Sequence, residues 1–116
     1  MTPTQLTAFE DKIQKQLGLA KFNIGLTRLG DLQLYDLIVQ KQDRGEGLGT
    51  RVMLALCELA DKEGLRIVLE PASKTPGMTT SRARLVRFYK RFGFVENKGR
   101  KKDFRIMIGM YREPVG

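Results

Sequence analysis

A glycine-rich segment between two strongly patterned stretches constrains the fold of this chain more than any other feature. Residues 44–50 read Arg-Gly-Glu-Gly-Leu-Gly-Thr. The stretch before them, Leu32 to Val39, alternates in the manner of a strand, and the stretch from Gly47 to Glu63 repeats its apolar residues as an amphipathic helix does. We therefore expect a strand, a tight loop and a helix in succession, with Gly64 ending the helix.

The predicted strand from Leu32 to Val39 has apolar residues on both sides. Strict alternation assigns its residues to two faces. One face carries Leu32, Leu34, Asp36 and Ile38, and the other carries Gln33, Tyr35, Leu37 and Val39. A strand with apolar residues on both faces is typical of the middle of a sheet, so we expect a central position for it.

Similar patterns divide the rest of the chain. Before Leu32 we expect a helix from Thr4 to Leu17 capped by Thr2 or Thr4, a strand from Lys21 to Arg28 and a turn at 29–31. After Gly64 we expect a buried strand from Leu65 to Glu70, a loop at 71–80, a helix from Ser81 to Phe92, and strands at 94–95 and 104–111. The order α-β-β-α-β-α-β-β predicts a mixed α/β (α+β) sheet.

Size and composition narrow the class of protein. A chain of 116 residues with 41% apolar content predicts one domain, residues 1–116, with one core. No apolar run approaches the roughly 18 residues of a membrane span, and we expect a soluble, cytoplasmic protein without a membrane partner. The absence of histidine excludes the usual Ser/His/Asp and Cys/His sites and most zinc sites, so we expect no metal. Cys57, the single cysteine, is predicted to lie in the core.

The net charge of +8 is concentrated in residues 82–105, which hold ten Lys/Arg and two Asp/Glu, whereas the remaining residues sum to zero. A local basic field favours a polyanion such as a nucleotide cofactor, a nucleic acid or an acidic protein face. The alternative interpretation is a solvated helix face followed by a charged hairpin.

The glycine segment itself points to an anion. The N–H groups at the start of a helix lack partners and carry partial positive charge, and glycines let the backbone approach an anion closely. A Walker loop requires Gly-Lys-Ser/Thr, which is absent, and a Rossmann fingerprint requires a third glycine where this chain has Thr50 or Val52. Another phosphate ligand, or a glycine-rich turn with nothing bound, remains open.

Two stretches together resemble the signatures of the GNAT superfamily of N-acetyltransferases. Residues 37–50 resemble its cofactor motif, with Arg44, Gly47 and Gly49 at the fixed positions. Residues 85–94, which read Leu-Val-Arg-Phe-Tyr-Lys-Arg-Phe-Gly-Phe, resemble its second signature, a helix with a tyrosine that ends in Gly-Phe. The resemblance spans about Phe22 to Tyr111 and implies a GNAT-like fold with a shortened N-terminal part.

The resemblance implies acetyl-CoA as the acyl donor and a role for each matching residue. The backbone of Leu37, Ile38 and Val39 would pair with the pantetheine arm where two strands splay. The pyrophosphate would bind the N–H groups of Arg44, Gly45, Glu46, Gly47, Leu48, Gly49 and Thr50. Arg82 stands where many members have asparagine, and it is expected to reach a cofactor phosphate. Tyr89 would protonate the departing thiolate, the alternative being core packing.

The resemblance also implies a general base, because the attacking amine must lose a proton. Glu70 holds the position of a catalytic glutamate in some members, with Asp31 and Asp36 as alternatives. The other interpretation of Glu70 is an exposed glutamate or one paired with Arg66 or a C-terminal cation. The short N-terminal part implies an acceptor site that is open, completed by a second subunit in a homodimer, or closed by the loop at 71–80.

Two functions therefore stand at this point. The first is transfer of an acetyl group from acetyl-CoA to a primary amine of a protein, an aminoacyl-tRNA or a small molecule, by direct attack in a ternary complex. The second is a catalytically weak GNAT-like binding module whose basic C-terminal surface binds nucleic acid or an acidic partner.

Overall fold

A computed structural model describes residues 1–43, 47–71, 82–99 and 109–115. Its elements are α1 (Pro3–Leu17), β1 (Lys21–Leu26), β2 (Leu32–Ile38), a short 3-10 turn (Lys41–Asp43), α2 (Leu48–Glu63), β3 (Ile67–Leu69), α3 (Arg82–Lys90), β4 (Val95–Glu96) and β5 (Met110–Arg112). The predicted order of helices and strands is confirmed. The cofactor candidates Arg44, Gly45 and Glu46, most of the predicted loop at 71–80, and the first part of the last predicted strand lie outside the described residues.

The five strands form one mixed sheet in the order β1-β2-β3-β5-β4. Strand β2 runs parallel to β3, and every other neighbouring pair is antiparallel. The central position predicted for β2 is confirmed, since it lies between β1 and β3. Because α2 connects two parallel strands, the carboxyl ends of β2 and β3 lie at the same edge of the sheet.

Of the two predicted caps, Thr2 and Thr4, it is Thr2 that caps the first helix. Its hydroxyl accepts from the Gln5 N–H at 3.2 Å, and its own N–H donates to Gln5 Oε1 at 2.9 Å. This reciprocal capping box satisfies two backbone donors at the start of α1, and Pro3 follows where a missing N–H costs nothing.

One face of the sheet packs against the helices and is called the core face. It carries Phe22, Leu34 and Leu69, which cluster with buried residues of α1, α2 and α3. The opposite face, called the second face, carries Gln33 and Val68, because neighbouring residues of a strand point to opposite sides. Cys57 is buried in the core as predicted, and burial raises the pKa of its thiol.

A β-bulge in β2 changes the faces predicted for this strand. Asn23 pairs with Asp36 while Ile24 pairs with Leu34, so Tyr35 is an extra residue on β2. The bulge shifts the alternation by one residue. The prediction was wrong from Asp36 onwards, because Leu37 and Val39 return to the core face. Asp36 turns to the second face, where it accepts from Asn23 Nδ2 at 2.9 Å.

Arg112 of β5 joins three elements through hydrogen bonds. Its guanidinium donates to both carboxylate oxygens of Asp61 on α2, at 2.8 and 3.1 Å, and its Nε donates to the Phe92 carbonyl after α3 at 2.7 Å. The hydrogen bonds from Arg112 and from the Val115 N–H lower the pKa of Asp61. A bidentate, charge-assisted pair of this kind fixes the relative position of β5 and α2 as well as adding stability.

In the described ranges, no helix combines the length and the apolar content needed to cross a membrane.

Candidate active site

The parallel strands β2 and β3 part at the edge where both end. Their pairing runs only from Leu32↔Ile67 to Leu34↔Leu69, whereas β2 stays paired with β1 as far as Lys21↔Ile38. Within the described residues, the β3-facing edge of β2 after Leu34 therefore has no partner strand. We call this gap, between Tyr35–Ile38 and the end of β3, the strand opening. Leu37 and Ile38, two of the three predicted pantetheine contacts, lie on it, and Val39 follows directly.

The start of α2 lies close behind this opening in the chain. Gly47 precedes the helix with φ +76°, a left-handed conformation that favours glycine. As the N-cap residue it has no side chain to cap the first turn, which contains Leu48, Gly49 and Thr50. The backbone N–H groups of such a turn attract anions. Gly49 faces Phe88 of α3, since a Cβ built at Gly49 would lie 3.5 Å from Phe88 Cζ. The glycine motif and the aromatic motif thus meet in space.

Glu70 follows β3 directly, at the edge of the strand opening. Its exposed carboxylate accepts from the Gly109 N–H through one oxygen and lies 3.8 Å from the Arg82 guanidinium through the other. Arg66, which the sequence offered as a partner, pairs instead with Asp31 at 2.7 Å. Arg82, predicted to reach a cofactor phosphate, is therefore beside the candidate base in this structure.

The two alternative bases occupy opposite ends of β2. Asp31 precedes the strand and is buried against Arg66, at the end of the sheet away from the opening. Asp36 lies on the second face beside the opening, with Asn23 Nδ2 at 2.9 Å and Lys21 Nζ at 3.5 Å. Of the three carboxylates, Glu70 and Asp36 flank the opening.

Gly109 is a site residue that sequence reasoning missed. A Cβ at this position would lie 2.5 Å from Glu70 Oε2 and 3.2 Å from Pro71 Cδ, so only a glycine lets the carboxylate reach the backbone N–H. A glycine inside a predicted strand often marks such a close approach. That signal was present at 104–111, but its partner, 39 residues earlier, was not visible from the sequence.

Tyr89 lies in the core, beside Phe88 and Phe94 with ring centroids 5.3 and 5.8 Å away. Burial raises the pKa of its phenol to about 12. The phenol is therefore protonated throughout the neutral range, as a proton donor must be. Among the described residues there is no group of three or more Cys, Asp or Glu side chains placed to hold a metal ion.

A family model described as an acetyltransferase (GNAT) domain matches residues 6–96, most of the chain. The chain belongs to the GNAT acetyltransferase family. A comparison with curated proteins finds no match.

Membership of the GNAT family supports acetyl transfer in general, with acetyl-CoA as the usual acyl donor. The strand opening, the start of α2 and Tyr89 all lie within the matched residues, whereas Gly109 and β5 lie beyond residue 96. The local geometry fits such a donor at two points. An extended arm can lie along the unpaired edge of β2, and a phosphate can bind at the uncapped first turn of α2.

Two glycines of the cofactor loop are expected to respond oppositely to alanine. Gly47→Ala forces a side chain into a left-handed conformation and should lower the free energy of unfolding by about 1 kcal/mol. In Gly49→Ala the new methyl group makes only an ordinary van der Waals contact with Phe88, and a flexible glycine is removed from the helix. This variant should therefore raise the free energy of unfolding by about 0.5 kcal/mol. Urea unfolding of both variants checks the pair, and a stabilising Gly47→Ala would contradict the loop geometry.

The buried phenol of Tyr89 predicts a loss of stability in alkali. Its pKa is about 12 in the folded protein and about 10 in an unfolded chain. The folded state holds the proton more tightly, so this stabilisation is complete below pH 10 and declines as the pH rises towards 12. At about pH 11 the loss should be about 1.4 kcal/mol.

Urea unfolding at about pH 8 and about pH 11 measures this loss. Tyr89→Phe is the matched control, because it keeps the ring and removes the ionising group. The wild type should lose more stability than Tyr89→Phe between the two pH values. Equal losses would mean that the phenol is not buried.

Proposed function

We propose that this GNAT family member is an N-acetyltransferase that transfers the acetyl group of acetyl-CoA to a primary amine by direct attack in a ternary complex. The observation that carries the proposal is the strand opening, which has an ionisable carboxylate at its edge and an uncapped helix start behind it. All elements from α1 to β5 contribute to one sheet or one core, which supports one such domain over residues 1–116.

Binding of the donor is assigned to backbone rather than side chains. The free edge of β2 at Leu37, Ile38 and Val39 offers N–H and C=O groups to the amide-containing arm of coenzyme A, as a neighbouring strand would. The N–H groups of residues 44–50, together with the positive end of α2, hold the pyrophosphate. Acetyl-CoA supplies the thioester, whose C–S bond breaks as the bond from the amine nitrogen to the acetyl carbon forms.

Two protons must move during this exchange. Glu70 takes the proton that the attacking nitrogen loses, directly or through one water. The Gly109 N–H holds one carboxylate oxygen, and the other, which lies 3.8 Å from the exposed Arg82 guanidinium, is the one assigned to the amine. Tyr89 donates its phenolic proton to the departing sulfur. We assign Arg82 to orienting Glu70, because the two side chains are 3.8 Å apart, with cofactor phosphate as its alternative partner.

Substitution of the two proposed catalytic residues tests this assignment. Glu70→Gln keeps the shape and removes the base, and it should lower kcat about 100-fold while leaving the dissociation constant of acetyl-CoA unchanged. Tyr89→Phe should also lower kcat without weakening the binding of acetyl-CoA. Calorimetry measures binding, and release of coenzyme A thiol with a panel of primary amines measures turnover.

Glu113→Gln serves as the control, since Glu113 is an exposed glutamate after β5 and is predicted to leave kcat unchanged. No heat with acetyl-CoA at high micromolar concentration would end the proposal. Unchanged turnover in Glu70→Gln or Tyr89→Phe would remove that residue from the mechanism.

A second candidate function rests on the basic surface of α3. Arg84, Arg87 and Arg91 recur at spacings of three and four and are exposed. Arg84 and Arg87 lie on the side of α3 opposite Tyr89, and Arg91 lies in the turn that follows the helix. Residues 82–91 contain no acidic residue. A cluster of positive side chains raises the local electrostatic potential and attracts polyanions. This stripe favours a binding module that holds the phosphate backbone of a nucleic acid.

The salt dependence of nucleic-acid binding tests this second function. Replacing Arg84, Arg87 and Arg91 with glutamine should reduce the slope of log K against log salt by about 2 to 3. The same exchange at the exposed lysines 12, 15 and 62 removes equal charge elsewhere and should change the slope less. Equal slopes for the two triple variants would show that these three arginines contribute no more to nucleic-acid binding than other exposed cations.

A further inference from the structure

Tyr35 is an exposed aromatic residue that the proposed mechanism does not use. Its relative exposure is 55%, although it lies in the middle of β2, a strand that is otherwise buried or half-buried. It is also the extra residue of the β-bulge. Bulges commonly re-aim a side chain next to an active site.

The ring of Tyr35 is held against the sheet by a glycine on the neighbouring strand. A Cβ at Gly25 would lie only 2.9 Å from Tyr35 Cε2 and 3.6 Å from Cζ, so the ring occupies the space that a side chain there would fill. Gly25 pairs with Gln33, which places both the glycine and the ring on the second face. The ring therefore lies across β1 on the second face, with much of its surface exposed to solvent.

Tyr35 and Glu70 stand on the two sides of the strand opening. Leu34 and Leu69 form the last pair between β2 and β3, and Tyr35 and Glu70 are the next residues on each strand. Glu70 belongs to the second face because Leu69 points to the core face. The exposed ring and the exposed carboxylate thus share one face on the two sides of the opening, with the ring over β1 and the carboxylate beside Gly109, which precedes β5. Asp36, held by Asn23 and Lys21, lies beside them.

We propose that Tyr35 forms a wall of the acceptor site and selects primary amines that carry a flat or apolar group next to the amine. This inference rests on the proposed acetyl transfer. An amine that delivers its proton to Glu70 must place its nitrogen near the opening, and the adjoining part of the molecule then lies on the Tyr35 ring. The face of an aromatic ring attracts both apolar groups and the alkylammonium form of the amine.

Two probe amines, phenethylamine and n-butylamine, test the selection with acetyl-CoA as donor. The wild type should show a kcat/KM for phenethylamine about tenfold above that for n-butylamine. Tyr35→Ala should bring the ratio close to one, whereas Tyr35→Phe, which keeps the ring, should preserve it. Leu54→Ala removes a side chain of similar exposure from α2 and should leave the ratio unchanged.

Gly25→Ala provides a second and independent variant. The added methyl group displaces the ring while leaving Tyr35 in place, so it should also lower the preference for phenethylamine. This variant decides the matter if Tyr35→Ala does not fold. Calorimetry with acetyl-CoA on every variant shows that the donor site is intact.

The outcomes separate this inference from the proposed function. If acetyl-CoA binds and the ratio is unchanged in both Tyr35→Ala and Gly25→Ala, the wall assignment is overturned and acetyl transfer stands. A loss of preference in Tyr35→Phe also overturns it. So does a wild type that binds acetyl-CoA but turns over neither amine, or turns over both without preference. Failure of the wild type to bind acetyl-CoA removes the proposed function and this inference together.

Discussion

Strand β2 pairs with β1 at six positions and with β3 at only three, and the rest of the candidate site depends on this difference. The bulge at Tyr35 adds to the local twist of β2 just where β3 ends, and twist separates neighbouring strands that are not held together by hydrogen bonds. The same bulge turns Leu37 to the core face and Asp36 to the second face. A single extra residue thus lies beside the opening and sets which of the side chains around it are on the core face and which are on the second face.

The charged contacts at the two ends of β2 differ in burial and in distance. At the amino end of β2, the buried pair of Asp31 and Arg66 is reinforced by the Leu32 N–H, which donates to the Arg66 carbonyl at 2.8 Å. At the opening, the contact between Glu70 and Arg82 is long and exposed. Exposed pairs contribute little to stability, so Arg82 is free to exchange partners at little cost. In its proposed role as general base, Glu70 must contact the amine, and a weakly bound Arg82 leaves its carboxylate accessible.

The order of elements, the Thr2 cap and the central place of β2 followed from local patterns, because spacing and caps report on the nearest few residues. The faces of β2 did not. Leu32, Leu34, Leu37 and Val39 occur at spacings of two, three and two, and the odd interval is the trace of the bulge. Strict alternation did not reveal this interval, because it placed Ile38 on the face of Leu32 and Leu34, and Ile38 is as apolar as Leu37.

The contacts around Glu70 were beyond sequence reasoning for a different reason. Its two partners, Gly109 and Arg82, lie 39 and 12 residues away along the chain. Only the pairing of β3 with β5, and the packing of α3 near the end of β3, bring them together. The motifs predicted the stretches that carry the candidate site, whereas the hydrogen bonds and ion pairs within it depend on the tertiary arrangement.

The two faces of the sheet separate the two proton transfers of the proposed reaction. Glu70 lies on the second face, while Tyr89 packs in the core cluster that contains Leu69. The proposed reaction therefore removes the amine proton on one side of the opening and protonates the sulfur from the other side. This separation leaves the Glu70 carboxylate exposed and the Tyr89 phenol in an apolar setting that raises its pKa to about 12. A site on a single face would expose the phenol to solvent as well, and burial would then not raise its pKa. The proposed mechanism therefore requires the thioester to lie at the opening between β2 and β3, with Glu70 on one side and the core that holds Tyr89 on the other.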